Sequence, residues 1–220
     1  MIDYWKICKT GIVITMFFLS VACQQQPQQQ AEGSNSQDYK LHYTRGLNLG
    51  IEGKFSLAQA ELENSLQIQP LYTPAEGCLR IARDSQNGVI EADAAKALFR
   101  GIELGNRSRT AQKVREINVA ISLSPAYAPA YNERGIAYFD EGKYRQALSD
   151  RNKAIELEPD YAASYYNKAV VCEELSLFDE AINAYREFLE RAPESYGVHI
   201  QFARIRIAEL EMMLENQHSS

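Results

Sequence analysis

Apolar residues recur along the chain with the spacing of amphipathic helices, and the apolar segments come in pairs. One pair runs from Tyr131 to Phe139 and from Tyr144 to Leu157, with a Glu-Gly-Lys turn between the two segments and Pro159 after them. Glycine and proline at these places are typical of helix ends. The pattern therefore predicts an all-α protein built from helical hairpins.

The hairpin pattern repeats at a fixed period. Three prolines follow one another at equal intervals, at Pro125, Pro159 and Pro193. Small residues ahead of these prolines keep the same interval, at Gly101, Gly135 and Ala169. A period of this length indicates a solenoid in which each hairpin buries its apolar face against its neighbours.

The repeating unit resembles the tetratricopeptide repeat, a helical hairpin of about 34 residues with small residues where its two helices cross. Residues 128–161 and 162–195 match its pattern most fully. Residues 39–72 match well, with His42 in place of the first aromatic residue, and residues 94–127 form a degenerate unit. The resemblance covers residues 39 to about 195 and implies a helix-turn-helix solenoid of four units.

Two further helices are expected outside the four units. The interval from Pro70 to Pro125 exceeds one repeat by the length of the segment 73–93, so this segment is an insertion. It begins with Thr-Pro-Ala-Glu, which indicates a helix start with threonine as the cap, and Ser-Gln-Asn-Gly later indicates a stop. Apolar residues on one face of 196–220 predict a helix that caps the last unit.

Residues 1–38 carry the features of an export segment. Lys6 and Lys9 precede an apolar run of about a dozen residues, as in a signal peptide over 1–22. This run is shorter than the roughly 20 residues that span a bilayer, so a permanent transmembrane helix is the less favoured alternative. Residues 23–38 are rich in glutamine and almost without apolar side chains, which predicts a flexible tether.

The end of the apolar run, Leu-Ser-Val-Ala-Cys, resembles a bacterial lipobox, although Ser20 stands where these motifs usually carry leucine. The resemblance implies cleavage after residue 22 and lipid attachment at Cys23, with ordinary signal cleavage nearby as the alternative. In lipoproteins of this kind, Gln24 next to the cysteine favours the outer membrane. We therefore expect an exported protein, held by a lipid anchor in the outer membrane and facing the periplasm.

Composition and charge exclude several classes of function. The chain is 45% hydrophobic, enough for a buried core, and its net charge of -6 argues against nucleic-acid binding. It contains no phosphate loop, no nucleophile elbow and no metal-ligand spacing of His or Cys, so we expect no catalytic residue, cofactor or metal. Cys78 and Cys172 are interpreted as small buried residues, with a disulfide as the less favoured alternative.

Comparison of the units with one another predicts an ion pair inside three of them. Position 7 of the unit carries arginine and position 23 carries a carboxylate, and these positions lie on the two paired helices. Such pairs would be structural rather than catalytic. The predicted pairs are Arg45 with Glu61, Arg100 with Glu116, and Arg134 with Asp150.

In the tetratricopeptide family, the first helices of successive units line a groove that holds an extended peptide or a partner helix. Aromatic side chains there could anchor apolar groups, and carboxylates would favour a ligand with lysine or arginine. For each groove residue, packing within its own repeat is an equally open interpretation. Carried over by position, the groove residues are Asn132, Ile136, Phe139, Asp140, Tyr166, Val170, Glu173 and Glu174.

A surface without catalytic motifs favours a binding function. We expect a non-catalytic scaffold that binds a segment of another envelope protein, possessing basic residues, in its groove. The partner classes considered are an assembly, secretion or pilus factor and a cell-wall enzyme. Two alternatives stay open, an accessory domain that carries a small ligand and a self-assembling structural repeat.

Overall fold

The computed structural model describes residues 32–70 and 72–218, and these residues form ten α-helices without a strand. A short 3-10 helix at Glu194–Tyr196 precedes the last α-helix. The helices are α1 (Glu32–Ile51), α2 (Phe55–Ile68), α3 (Thr73–Gln86), α4 (Ala92–Asn106), α5 (Thr110–Leu123), α6 (Ala128–Asp140), α7 (Tyr144–Leu157), α8 (Ala162–Glu174), α9 (Phe178–Arg191) and α10 (Gly197–His218).

Eight of these helices form four hairpins, which pair α1 with α2, α4 with α5, α6 with α7, and α8 with α9. Successive hairpins stack through α5 against α6 and through α7 against α8, and α10 packs on α9. This is the all-α solenoid of helical hairpins that the sequence predicts. Each of the four predicted units corresponds to one hairpin.

The turns inside the hairpins share one backbone feature. At the same repeat position, Gly53 has a φ of 78°, Gly142 has 71°, and Ser108 and Ser176 both have 57°. Positive φ is the left-handed region, which glycine adopts without a steric penalty and other residues avoid. The Gly-Lys pairs of the sequence are therefore turn residues, and the two serine-containing turns carry backbone strain.

Glycines also mark where helices approach closely. A Cβ atom added to Gly46 would lie 2.6 Å from Leu62 on the paired helix, and one added to Gly101 would lie 3.1 Å from Ile117. Gly50 lies where α1 packs on α4. A Cβ atom added to Gly50 would lie 2.5 Å from the Phe99 ring of α4. The glycine pair of α1 thus serves two helix contacts within this chain.

Helix α1 begins earlier than the sequence suggests. Residues 32–38 of the predicted 23–38 tether are helical, so that part of the prediction is wrong. No proline interrupts this segment, and a helix that is already nucleated by packing can extend through poor helix formers for less than about 1 kcal/mol each. The signal segment, Cys23 and the rest of the tether lie outside the described residues.

The inserted helix forms where it was predicted, as α3. Its first residue is Thr73, with Tyr72 as the N-cap, so Thr73 is not itself the cap. Pro74 lies in the first turn, and the helix stops before Gly88, whose φ is 71°. Helix α3 packs on α2 while α1 packs on α4, so the insertion interrupts the regular stacking between the first and second hairpins.

Helix α10 caps the last hairpin. Ala203 and Leu210 are fully buried, and Ile207 and Leu214 pack against the same core as Phe188 of α9. The predicted capping helix is therefore present. None of the helices in residues 32–70 and 72–218 is long and apolar enough to cross a membrane.

The crossing of α1 and α4 gives a test that uses two glycines of the same chain. We expect Gly50→Ala to lower the free energy of unfolding by about 1 to 3 kcal/mol, because the new methyl group would overlap the Phe99 ring. Gly77→Ala is the matched control, since nothing lies within 4 Å of its added Cβ. There the better helix propensity of alanine should raise stability by up to about 1 kcal/mol.

Urea unfolding followed by far-ultraviolet circular dichroism measures both changes. Equal effects of the two substitutions would contradict the close α1–α4 contact.

Candidate interaction surface

The part of the predicted groove on α8 is covered by the capping helix. Tyr166 is 8% exposed, and its ring lies 5.1 Å from Phe188 and 5.1 Å from His199 of α10. Phe202 of α10 lies 6.2 Å from the same ring, and Val170 packs against this core. The expectation that Tyr166 anchors a ligand is wrong, because α10 occupies the space above it.

Glu173 is also engaged within the chain. Arg206 of α10 forms an ion pair with its carboxylate, and the Tyr185 hydroxyl donates a hydrogen bond of 2.7 Å to Glu173 Oε1. Burial raises the pKa of Tyr185, and the neighbouring carboxylate raises it further, so this hydroxyl stays protonated and remains a donor. Glu173 therefore holds α10 on the solenoid.

Asn132 has its polar groups satisfied inside the solenoid. Its amide nitrogen donates to Ser164 Oγ at 3.1 Å, while Arg151 Nη1 donates to its backbone and side-chain oxygens at 2.9 and 3.0 Å. Asn132, a predicted groove residue, thus uses its polar groups for contacts within the chain. Asn132 positions Arg151 and links α6 to α8.

A buried charged cluster lies beside Asn132. Arg151 is 3% exposed, although the equivalent residues of the other hairpins are Leu62, Ile117 and Tyr185. Burial lowers the pKa of Arg151 to about 10, against the raising effect of Glu133 and other carboxylates. Taking such charges out of water costs free energy that offsets much of their attraction to the carboxylates, so the cluster is weak evidence of added stability.

Lys113 supplies the balancing charge of this cluster. Its Nζ atom lies 3.1 Å from Glu133 Oε2. Burial alone would raise the pKa of Glu133, but Lys113 outweighs this effect and holds the pKa below its usual value. In the degenerate unit, Lys113 occupies the repeat position at which the other units carry Ala58, Ala147 and Ala181, and the sequence does not indicate its partner.

The residues of the first two hairpins that are equivalent to Asn132 and Ile136 are covered as well. Tyr43 and Leu47 of α1 are buried in one core with Cys78 of α3 and with Leu98 and Ile102 of α4. The chain's own helices therefore fill the N-terminal part of the family groove.

Helix α3 is held by contacts with two other parts of the solenoid. Arg83 pairs with Glu63 of α2 at 2.7 Å. Arg80, one helical turn earlier, has its Nη2 atom 2.8 Å from both carboxylate oxygens of Glu158, and its guanidinium lies 5.1 Å from the Tyr161 ring. The inserted helix thus bridges the first hairpin and the turn between the third and fourth.

A second turn contacts the same helix, because the Tyr127 hydroxyl donates a hydrogen bond of 2.7 Å to Asp84 Oδ2. The sequence pattern did not predict that α3 contacts these two turns. A signal was present, since Tyr72, Tyr127 and Tyr161 all occupy the last position of a predicted unit.

What stays accessible is a smaller surface, which we call the open patch: Ile136, Phe139, Asp140, Tyr144 and Glu174. Ile136, Phe139 and Tyr144 are partly exposed, and Asp140 and Glu174 are exposed. The Phe139 and Tyr144 rings lie 5.3 Å apart. Partial burial and the hydrogen bond that Tyr144 donates to Glu174 raise the pKa of Tyr144.

The open patch combines aromatic rings with two carboxylates. Such a surface suits a lysine or arginine side chain, whose aliphatic part packs on the rings while its charge approaches the carboxylates. Four of the eight predicted groove residues, namely Ile136, Phe139, Asp140 and Glu174, belong to it.

Two of the three predicted bridges are present. Arg100 Nε lies 2.7 Å from Glu116 Oε2, and Arg134 contacts both oxygens of Asp150 at 2.8 and 2.6 Å. The prediction for Arg45 is wrong, because His42 Nδ1 lies 2.6 Å from Glu61 Oε2 instead. His42 and Arg45 are one helical turn apart on the same face, so either could reach this carboxylate.

The two cysteines of the described residues are buried and form no disulfide, as expected. Burial raises the pKa of both thiols, which keeps them protonated and unreactive. Within the part of the chain that the structure covers, no group of three or more His, Cys, Asp or Glu side chains could hold a metal ion.

Comparison with models of known protein families identifies two of the repeats. Residues 128–161 and residues 162–195 each match a family model described as the tetratricopeptide repeat. The chain is a tetratricopeptide-repeat (TPR) protein. No curated protein matches its sequence at a significant level.

Solved TPR domains share the fold. The first TPR domain of Spaghetti (RPAP3) bound to the Hsp90 peptide SRMEEVD is 20% identical and has a TM-score of 0.51, with 56% of this chain and 94% of that chain covered. The TPR2B domain of yeast Sti1 in a pHsp70 complex is 21% identical with a TM-score of 0.51, covering 55% of this chain and 98% of that one.

The first TPR domain of human RPAP3 is 20% identical with a TM-score of 0.51, covering 58% and 97% of the two chains. At these identities the likeness concerns the fold.

The bridge made by α3 can be tested in this TPR protein by removing Arg80. We expect Arg80→Ala to lower the free energy of unfolding by about 1 to 2 kcal/mol, because an ion pair and a cation–π contact are lost. Hydrogen exchange should increase in α3.

Arg186→Ala is the control, since Arg186 forms an ion pair with Glu211 at 2.6 Å in which each side chain is about half exposed. This substitution should change stability by less than about 1 kcal/mol. If α3 exchanges equally in both variants, Arg80 does not hold it.

Proposed function

We propose that this TPR protein is a non-catalytic scaffold that binds a basic segment of another envelope protein at the open patch. TPR domains are protein-protein interaction modules, and some of them bind peptides. One observation carries the proposal: the chain's own helices cover much of the family groove, while the paired rings of Phe139 and Tyr144 stay partly exposed and Asp140 and Glu174 stay exposed.

The charge of the patch determines the class of ligand. The peptide bound by the first TPR domain of Spaghetti, SRMEEVD, ends in acidic residues apart from one valine. The open patch has the opposite requirement, because carboxylates attract lysine and arginine and repel acidic side chains. The groove positions of α1 carry Tyr43 and Leu47, which are buried and bring no positive charge that could hold an acidic tail.

The proposed location follows from the N-terminal sequence. We propose that Cys23 is lipidated after removal of 1–22 and anchors the protein in the outer membrane, facing the periplasm. A short segment, 24–31, separates Cys23 from the start of α1 at Glu32. A chain of that length spans at most about 30 Å, so the solenoid would stay close to the membrane surface.

Photo-crosslinking in cells tests the proposal. A photoreactive residue at Phe139 of the full chain should capture one prominent protein, and the captured segment should contain lysine or arginine. Gln146, exposed on α7, is the control position and should capture at most a tenth as much.

A second variant tests the mode of recognition. Asp140→Lys together with Glu174→Lys should abolish capture from Phe139, because the patch would then repel a basic segment. Cys23→Ser should release the protein from the membrane fraction. Capture that is equal from Phe139 and Gln146, or that survives the charge reversal, would contradict the proposed site.

A further inference from the structure

Helix α10 has an apolar outer face. Of the nine large hydrophobic side chains that are exposed in the described residues, four lie on this helix: Val198, Ile205, Met212 and Met213. Val198, Ile205 and Met212 are 64%, 57% and 63% exposed, and they follow one another at the interval of a heptad. Residues one heptad apart lie on nearly the same side of a helix, so these three form one stripe.

The stripe lies on the opposite side of α10 from the residues that bind the solenoid. Ala203 and Leu210 are fully buried against α9. A capping helix normally presents a polar outer face, because it ends the stack of repeats in water. An apolar stripe at the end of a solenoid is therefore a candidate contact surface.

The charges beside the stripe are arranged asymmetrically along the helix. Arg204 is exposed in the N-terminal half, while Glu209, Glu211 and Glu215 lie in the C-terminal half. Within the chain, Arg206 pairs with Glu209 and Arg186 pairs with Glu211, whereas no ion pair of Arg204 is found among the described residues. A helix that runs antiparallel to α10 and carries acidic residues opposite Arg204 would complement this arrangement. Helix α10 of a second copy has this arrangement itself.

The antiparallel arrangement also fits in register. With the two helices centred between Arg206 and Ile207, Ile205 packs beside Ala208 of the second copy, and Arg204 lies level with Glu209 and two residues from Glu211 of the second copy. Each contact occurs twice because of the two-fold symmetry. A parallel arrangement would instead bring the two copies of Glu215 together at the end of the stripe.

We infer that α10 is a dimerisation surface on which a second copy of this chain packs its own α10 antiparallel. The stripe from Val198 to Met212 extends over about 21 Å of this 22-residue helix. None of the open-patch residues is on α10, so the proposed dimer contact and the proposed partner site are made by different residues and can be tested with different substitutions.

Co-purification of two differently tagged full-length copies from one cell tests the inference. The second copy should accompany the first, and Ile205→Glu should reduce its amount at least tenfold. Leu57→Glu is the matched control, because Leu57 on α2 is also 57% exposed, and it should leave co-purification unchanged. Circular dichroism should show the same helix content for both variants.

Charge reversal tests the orientation. Arg204→Glu should weaken co-purification, and Arg204→Glu combined with Glu211→Arg should restore it. Since Glu211 also contacts Arg186, Glu211→Arg alone is measured for comparison. Absence of a co-purified second copy, an equal loss with Leu57→Glu, or failure of the double reversal to restore pairing would each overturn the antiparallel α10 dimer.

Discussion

The close crossing of the two helices in each hairpin is the constraint on which the rest of this structure depends. At Gly46, Gly101 and Gly135, side chains of the second helix of each hairpin pack directly against the backbone of the first helix. This approach aligns the apolar faces of each hairpin, and the faces of neighbouring hairpins then bury one another. The bridges from Arg100 and Arg134 fix the same helix pairs from their polar side.

Additional helices change what the solenoid presents to its surroundings. Helix α3 and helix α1 fill the groove at one end, and α10 covers Tyr166 and Glu173 at the other. Two candidate contact surfaces are therefore left, the open patch and the outer face of α10. These surfaces differ in chemistry, since one joins aromatic rings to carboxylates and the other is an apolar stripe. The same fold can thus serve different contacts.

The sequence predicted those features that depend on local chemistry. The repeat period located the hairpins, and the proline and glycine around α3 located both ends of the inserted helix. It could not show that α10 would cover Tyr166, because that depends on the path of the chain after α9. Likewise, Arg45 and His42 lie on one helix face, and their repeat positions do not reveal which of them reaches Glu61. Non-local contacts of this kind require coordinates.

The contact between Arg80 and Glu158 joins residues that are 78 positions apart in the chain. Most solenoids make contacts between adjacent units alone, which lets repeats be added or removed during evolution and lets their ends unfold separately. A unit inserted between α4 and α7 would move Glu158 away from α3 and break this connection. A change in the number of repeats would therefore remove this connection, and the first hairpin can separate from the rest only when it breaks.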